Sequence, residues 1–331
     1  MDKEYEFLNI FPDKMKEFWK IIAKEAEFVE EVRIRVNNPI GILIKGKEYF
    51  VNPKGMLTGN IKEARLITQE EINGILNHIC KSSVYAYQDE LREGYITMPG
   101  GHRVGLAGEA VVDEKGQIIT IKYVTFMNIR ISHEILGVAD TVMDFLFEKK
   151  EMQNTLIVSP PGCGKTTLLR DVVRQLSKGN FKRRPYKVGV IDERNEIAGG
   201  FQGMPQNDLG PRTDVLSGLA KRQAMIMMIR SMSPEIIALD ELGGKDDVEA
   251  LEEASKCGVK VVATIHAGNK EELLEKPYLE RIIKEQGFKK FIFLGKEDGK
   301  CVIKEMFDCG EVYGKADREY FADVGLLRSG I

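Results

Sequence analysis

The chain has almost no net charge: 48 Lys and Arg stand against 51 Asp and Glu in 331 residues, a formal charge of −3. So close a balance excludes a whole-chain field that would select a polyanion such as DNA. Any basic site must be local, and a nucleic-acid partner is not expected. Long apolar runs are missing as well. The longest, Ala224 to Ile229, is far short of the ~18 residues of a membrane-spanning helix. Met1 to Ile10 carries Asp2, Glu4 and Glu6 and lacks the basic and apolar regions of a secretory signal, so a cytoplasmic location is expected. The five cysteines (Cys80, Cys163, Cys257, Cys301 and Cys309) form an odd set with no C-x-x-C pair. That pattern argues against a disulfide framework or a zinc site and predicts buried or inert thiols. Fixed-period repeats and low-complexity tracts are absent too.

What is present is ordinary globular material, 43% hydrophobic and 30% charged, long enough for two domains at roughly 150 residues each. The predicted division is 1–140, a smaller α+β domain, and 141–331, an α/β domain with a mainly parallel sheet. In the first, Val32 to Val36 alternates apolar residues with arginines, the pattern of a half-buried strand ended by Asn37-Asn38-Pro39. Gly41 to Ile44 and Glu48 to Val51 flank Lys45-Gly46-Lys47 as a hairpin, and Thr68 with Glu71 forms a capping box for a helix carrying Ile72, Ile75, Leu76 and Ile79. Tyr95 to Met98 pairs with His102 to Ala107, and Ala110 to Val112 with Ile118 to Tyr123, which makes an antiparallel arrangement. A helix over Gly137 to Lys150, with Glu148 to Glu151 as linker, is expected at the boundary.

Beyond Asn154 come short runs apolar on both faces and separated by helical stretches: Leu156 to Val158, Val188 to Ile191, Ile236 to Leu239, Val259 to Ile265, Phe291 to Leu294 and Val302-Ile303. Such runs mark a parallel sheet covered on both sides. The first leads directly into Ser159-Pro160-Pro161-Gly162-Cys163-Gly164-Lys165-Thr166, and an amphipathic helix with Leu168, Leu169, Val172, Val173 and Leu176 follows. A Gly-Lys-Thr triplet on a strand-to-helix turn is a P-loop. Backbone N–H groups from Gly162 to Thr167 curl around phosphates, Lys165 reaches the β- and γ-phosphates of ATP, and Thr166 ligates Mg²⁺. Nucleotide-binding candidates are therefore Pro161, Gly162, Cys163, Gly164, Lys165, Thr166 and Thr167; Ser159 stands where the pattern has its first glycine.

A P-loop enzyme also needs a carboxylate at the end of a neighbouring strand. Ile236 to Leu239 ends in Asp240-Glu241, with Asp240 a candidate for the metal and Glu241 for the general base. Asp192 and Glu193 close the Val188 strand, and His266 closes the next one, placed to sense the γ-phosphate. Lys178 to Lys187, basic with Phe181 and Tyr186 interleaved, reads as a solvated loop rather than a nucleic-acid contact, and Met225, Met227, Met228 and Met232 as core filling. His78 and His133 carry no visible partners.

The P-loop, Asp192-Glu193-Arg194-Asn195-Glu196, the Arg230 to Glu235 run into Asp240-Glu241, and Thr264-Ile265-His266-Ala267 together resemble the RecA-like secretion ATPases of type II and type IV systems. With Val32 to Val36, Gly94 to Gly105 and Asn128 to Ile131, the likeness is closer still to the stage III sporulation protein AA family and covers about residues 28–310. The resemblance implies a RecA-like Mg²⁺-dependent ATPase that works as a ring, a hexamer, on membrane proteins of a channel joining mother cell and forespore. It also implies that arginines face the nucleotide, with Arg103 the first candidate and Arg130, Arg212, Arg222 and Arg230 behind it. The wider family commonly has Gly where Asp240 stands, which leaves the base open among Glu241, Glu193 and Asp192; the four-cysteine zinc module of many type II enzymes is absent. Two other functions fit a RecA-like core, a nucleic-acid-dependent motor and a nucleotide-regulated scaffold that does not hydrolyse.

Overall fold

A computed structural model of the chain describes residues 3–81, 87–276, 278, 287–297 and 299–308. Two compact units emerge: Met1–His133 with Gly199–Gln206, and Glu134–Ala198 with Asn207–Ile331.

The first unit opens with helices α1 (Lys3–Leu8) and α2 (Asp13–Ala23). Strands β1 (Val29–Arg35), β2 (Gly41–Ile44), β3 (Lys47–Val51) and β4 (Leu57–Thr58) follow, then helices α3 (Gln69–Ile79) and α4 (Gln88–Arg92), and strands β5 (Tyr95–Thr97), β6 (Arg103–Val112) and β7 (Ile118–Arg130). They form one antiparallel sheet in the order β4-β3-β2-β1-β7-β6-β5. In β1 the side chains of Val29, Val32 and Ile34 are buried while Arg33 and Arg35 face water, as the alternation predicts. Lys45 and Gly46 join β2 to β3 with φ of 50° and 72°, the left-handed pair that matches the strand twist in a two-residue hairpin. The α3 capping box is complete: Glu71 N donates to Thr68 Oγ1 at 3.2 Å and Thr68 N donates back to the Glu71 carboxylate at 2.9 Å. Gly108 marks a break in register between β6 and β7, where a Cβ would sit 2.5 Å from the Lys122 carbonyl oxygen. The core gathers on Trp19, stacked on Phe11 with ring centroids 4.2 Å apart. His78 and His133 do have partners, the carbonyls of Asn9 (3.0 Å) and Val29 (2.6 Å).

The second unit contains β8 (Phe147–Glu148), β9 (Glu151–Met152), β10 (Thr155–Ser159), α5 (Lys165–Lys178), β11 (Val188–Asp192), β12 (Thr213–Ser217), α6 (Lys221–Met232) and β13 (Ile236–Leu239). It continues with α7 (Lys245–Lys256), β14 (Lys260–His266), α8 (Lys270–Leu274), β15 (Lys290–Glu297) and β16 (Lys300–Asp308). The sheet runs β12-β11-β13-β14-β10-β15-β16, parallel except for the antiparallel β15–β16 pair. Leu156, Val158, Leu239 and Ala263 enter one apolar cluster, and Ile157, Ala238 and Val262 enter another. Alternate residues of each central strand thus bury on opposite faces, which is why the runs read as continuously apolar.

Three sequence expectations change. Gly137 to Lys150 is not a helix but a series of turns, in which Val142 N donates to Ala139 O and Leu146 N to Val142 O before the β8–β9 hairpin. Its apolar spacing is real, since Ala139, Val142, Met143 and Leu146 are all buried. The buried Asp171 carboxylate, however, accepts Ala139 N at 2.8 Å and fixes the entry to these turns. The strand β12 was not expected: at the sheet edge none of its five side chains is fully buried, so no apolar run announces it. Of the four methionines, Met225 and Met228 fill the core, while Met227 and Met232 are about half exposed. Among the cysteines, Cys80 and Cys163 are buried, Cys257 and Cys301 are exposed, and Cys309 lies outside the described residues.

Candidate active site

Parallel strands with right-handed crossovers present their C-terminal ends along one edge of a sheet, and ligands bind there. In this chain that edge carries Ser159, Asp192, Asp240 and His266, because β11, β13, β14 and β10 are consecutive neighbours in the sheet. Ser159 is the register partner of His266 across β10 and β14.

The loop between β10 and α5 turns on Gly162 (φ 68°) and Gly164 (φ 82°). A Cβ on Gly164 would be strained by that dihedral and would also meet Cys301 Sγ at 3.5 Å. The helix that follows has no side-chain cap, so its first N–H groups remain available to an anion. Ser159, at the position of the pattern's first glycine, is fully buried. Its hydroxyl donates to Pro160 O at 2.8 Å. Pro161 and Gly162 are exposed, Thr167 is half-buried, and the buried Cys163 thiol points to Pro161 O at 3.7 Å.

Lys165 is buried at the start of α5, and its ammonium donates to Ser159 O and Pro160 O at 3.3 Å and to His266 Nδ1 at 3.0 Å. An ammonium only donates, so Nδ1 accepts and the imidazole proton sits on Nε2, which lies 3.5 Å from Glu241 Oε1. A continuous chain Lys165–His266–Glu241 results. Burial pulls the Lys165 pKa below the usual lysine value, against the upward pull of the Asp240 and Glu241 charges.

Asp240 is held on both oxygens: Thr264 Oγ1 donates to Oδ1 at 2.6 Å and Thr166 Oγ1 donates to Oδ2 at 3.2 Å. The same Thr264 oxygen accepts Glu241 N at 2.8 Å, so one hydroxyl sets two acidic residues. The Glu241 carboxylate receives Arg194 Nη1 at 2.8 Å. Among the described residues no group of three or more His, Cys, Asp and Glu side chains is arranged to hold a metal. The adjacent Thr166 hydroxyl and Asp240 carboxylate are nevertheless hard oxygen donors of the kind Mg²⁺ uses beside substrate phosphates.

Asp192 was a candidate base on sequence grounds, and the structure gives its oxygens other work. Oδ1 accepts Glu196 N (2.7 Å) and Ile197 N (3.2 Å), and Oδ2 accepts Ala198 N (2.8 Å). Burial pushes its pKa above the ordinary aspartate value, although the three backbone donors pull the other way. This carboxylate builds the turn of the acidic box, which Arg170 of α5 also grips through Ile197 O at 2.8 Å. Glu193 stays exposed and sits 3.3 Å from Lys221 Nζ.

The structure therefore brings together Lys165, Thr166, Asp240, Glu241 and His266. Arg103 belongs to the other unit, on β6 opposite Arg130, with its guanidinium 4.6 Å over the Tyr95 ring. Arg212 bonds the carbonyl of Ser177 at 3.2 Å, Arg222 lies 3.5 Å from Glu249, and Arg230 is exposed on α6. Three residues that touch the acidic pair were not singled out by the sequence: Thr264, Arg194 and Lys221. Thr264 left a signal, a hydroxyl inside an otherwise apolar strand two positions before His266.

The family model described as sporulation stage III, protein AA matches residues 1–312. Stage III sporulation protein AA of Bacillus subtilis (strain 168) is 37% identical over 304 residues, which are 92% of this chain and 94% of that protein. Among solved structures, the Legionella pneumophila ATPase DotB aligns over 95% of this chain and 84% of its own, with a TM-score of 0.57 and 15% identity. The pilus retraction motor PilT, solved with bound ADP, aligns over 93% of this chain and 86% of its own, with a TM-score of 0.58 and 15% identity. At that identity the likeness concerns the fold: a RecA-like α/β core preceded by an antiparallel-sheet domain.

Proposed function

The chain belongs to the sporulation stage III, protein AA family, and from that membership and the site geometry we propose that it is a Mg²⁺-dependent ATP hydrolase of the secretion-ATPase type. It works as a ring homo-oligomer, a hexamer, at the membrane complex of a channel between mother cell and forespore. The single observation that carries the catalytic part is the joining of both halves of the site: Thr166 of the P-loop helix bonds Asp240 at 3.2 Å, while His266 contacts both Lys165 and Glu241. The channel role rests on the family alone. No helix among the described residues is long and apolar enough to cross a membrane.

The residues present fit a nucleotide and its metal. Backbone N–H groups from Gly162 to Thr167 and the α5 N-terminus hold phosphate oxygens, with Thr167 flanking them. Lys165, whose present acceptors are two neutral carbonyls, the Ser159 hydroxyl and an imidazole, turns its ammonium to the β- and γ-phosphates. Thr166 and Asp240 hold Mg²⁺, which when bound neutralises charge on the phosphates. Glu241, aimed by Arg194 and backed by His266 Nε2–H, takes the proton of the attacking water. Asp192 shapes the acidic box, and Glu193 remains beside it as a second carboxylate. The family resemblance makes Arg103 a further candidate to supply positive charge to a nucleotide.

The test is Mg²⁺-dependent phosphate release per subunit across protein concentration, with Lys165→Ala as the blank. A specific rate that rises with concentration over a flat blank supports a ring with active sites completed between subunits. A wild type that never exceeds the blank, alone or with membranes carrying the channel proteins, refutes the hydrolase in favour of a nucleotide-regulated scaffold. Stimulation by single-stranded DNA would point instead to a nucleic-acid motor.

A further inference from the structure

Glu241 has a left-handed backbone, with φ of 49°, a conformation that a residue with a Cβ adopts only when its surroundings enforce it. Two of the bonds that hold it come from β14: Glu241 N to Thr264 Oγ1 at 2.8 Å and Leu242 N to Thr264 O at 2.7 Å. The Glu241 carbonyl, on the other side of the strained residue, accepts Lys221 Nζ at 2.7 Å. The same ammonium lies 3.3 Å from Glu193 Oε2 and 3.6 Å from Asp247 Oδ1, and its side chain is 14% exposed. One hydrogen bond, to the Glu241 carbonyl, and two ion-pair contacts thus meet on one ammonium.

These partners come from three separate elements: the acidic box after β11, the turn after β13, and the start of α7. Asp247 has a second task, since its Oδ2 caps α7 by accepting Gly243 N at 2.7 Å and Gly244 N at 3.3 Å. Lys221 itself is the first residue of α6, which has no side-chain cap and no acidic residue in its first turn. A cation there opposes the helix dipole, so helix stability does not explain it. The three partners do.

We propose that Lys221 is a positioning residue for hydrolysis: it locks the strained backbone of Glu241 so that the carboxylate points at Arg194 and His266, and it ties Glu193 to the same frame. Lys221 bonds to none of the P-loop residues, so its effect falls on the chemical step and spares nucleotide binding. This rests on the ATPase reading above, as the catalytic role of Glu241 does. A cavity of about 780 Å³, lined by Glu193, Lys221, Arg222, Ile226 and Asp247, adjoins the ammonium. It leaves room for a guanidinium, so Lys221→Arg can keep the cation and its donors.

The experiment compares wild type, Lys221→Met and Lys221→Arg by steady-state ATP hydrolysis, by titration with a fluorescent ATP analogue, and by crystal structures. Lys221→Met is expected to lose about 10- to 100-fold in kcat, with KM and the analogue Kd within about threefold of wild type, whereas Lys221→Arg recovers most of the rate. Should Lys221→Met not fold, Lys221→Gln keeps an amide NH₂ donor group, removes the charge and is expected to fall in the same direction. An unchanged kcat, a parallel loss of kcat and nucleotide affinity, or no recovery with Arg overturns the proposal. If wild type itself never exceeds Lys165→Ala, the hydrolase reading fails on its own, and the crystal structures decide the positioning role. Glu241 leaving the positive-φ region in Lys221→Met then supports it, and Glu241 still at φ near +50° beside Arg194 refutes it.

Discussion

Replacing Thr264 by valine is a sharp test of how the acidic pair is held. The side chain keeps its β-branched shape inside β14, so the strand itself is undisturbed. What disappears is one hydroxyl with two partners. The bond to the Asp240 carboxylate is charge-assisted and contributes about 1.5–3 kcal/mol, and leaving the Glu241 N–H unmatched costs about 1–3 kcal/mol. Thr264 is fully buried, but Asp240 and Glu241 are only half-buried and water can reach them in part. A total loss of about 2–4 kcal/mol is therefore expected, less than the ~5–15 kcal/mol stability of a typical domain. The variant should fold. Its Asp240 keeps only the Thr166 contact, and the strained Glu241 loses its N–H anchor. A shift of the two carboxylates on the order of 1 Å corresponds to about a 10²-fold drop in kcat. Urea denaturation and Mg²⁺-dependent phosphate release, with Lys165→Ala as blank, measure the two effects. Thr264→Ser, which keeps the hydroxyl, should stay within about threefold of wild type. A Thr264→Val protein with wild-type stability and wild-type kcat would refute the reasoning.

Glu241→Gln should bind nucleotide normally and lose about 10²- to 10⁴-fold in hydrolysis; full activity measured by phosphate release would transfer the base role to Glu193. Asp192→Asn should destabilise by about 1–3 kcal/mol, because its amide NH₂ would face a backbone N–H that now has an acceptor. The raised pKa of Asp192 also means that its contribution is fully present below the ordinary value of 3.8 and is lost as pH rises through the folded value. Denaturation curves across that window should accordingly be flatter for Asp192→Asn than for wild type. Asp171 has the opposite sign. Burial alone would raise its pKa, but Ala139 N–H, Arg174 and Gln175 outweigh it and hold the carboxyl below 3.8, so its stabilisation is present above that value and lost as pH falls through the folded one. Asp171→Asn should thus be less stable at neutral pH and lose less on acidification, and equal acid sensitivity of the two proteins would count against this account.

Much of the architecture was legible along the chain because it depends on neighbours in sequence. The β2–β3 and β6–β7 hairpins, the Thr68 capping box and the alternation in β1 all follow from local dihedral and burial preferences, and all are present. The failures have other causes. Gly137 to Lys150 has helical apolar spacing, yet successive turns bury the same apolar residues, with Asp171 of α5 accepting the Ala139 N–H. The edge strand β12 has too little buried surface to look apolar.

By itself the sequence determined the turn from Ser159 to Thr166, whose glycine dihedrals and helix start are encoded within eight contiguous residues, and it determined that acids end the β11 and β13 strands. The tertiary structure alone decided what those acids touch. Parallel strands separated by tens of residues lie side by side only after β11, β13, β14 and β10 take their places in the sheet. That order brings Thr264 under Asp240 and Glu241, His266 between Lys165 and Glu241, and Lys221 onto the Glu241 carbonyl. Each contact spans more than 19 residues of chain, a separation across which no local pattern of side chains specifies a partner.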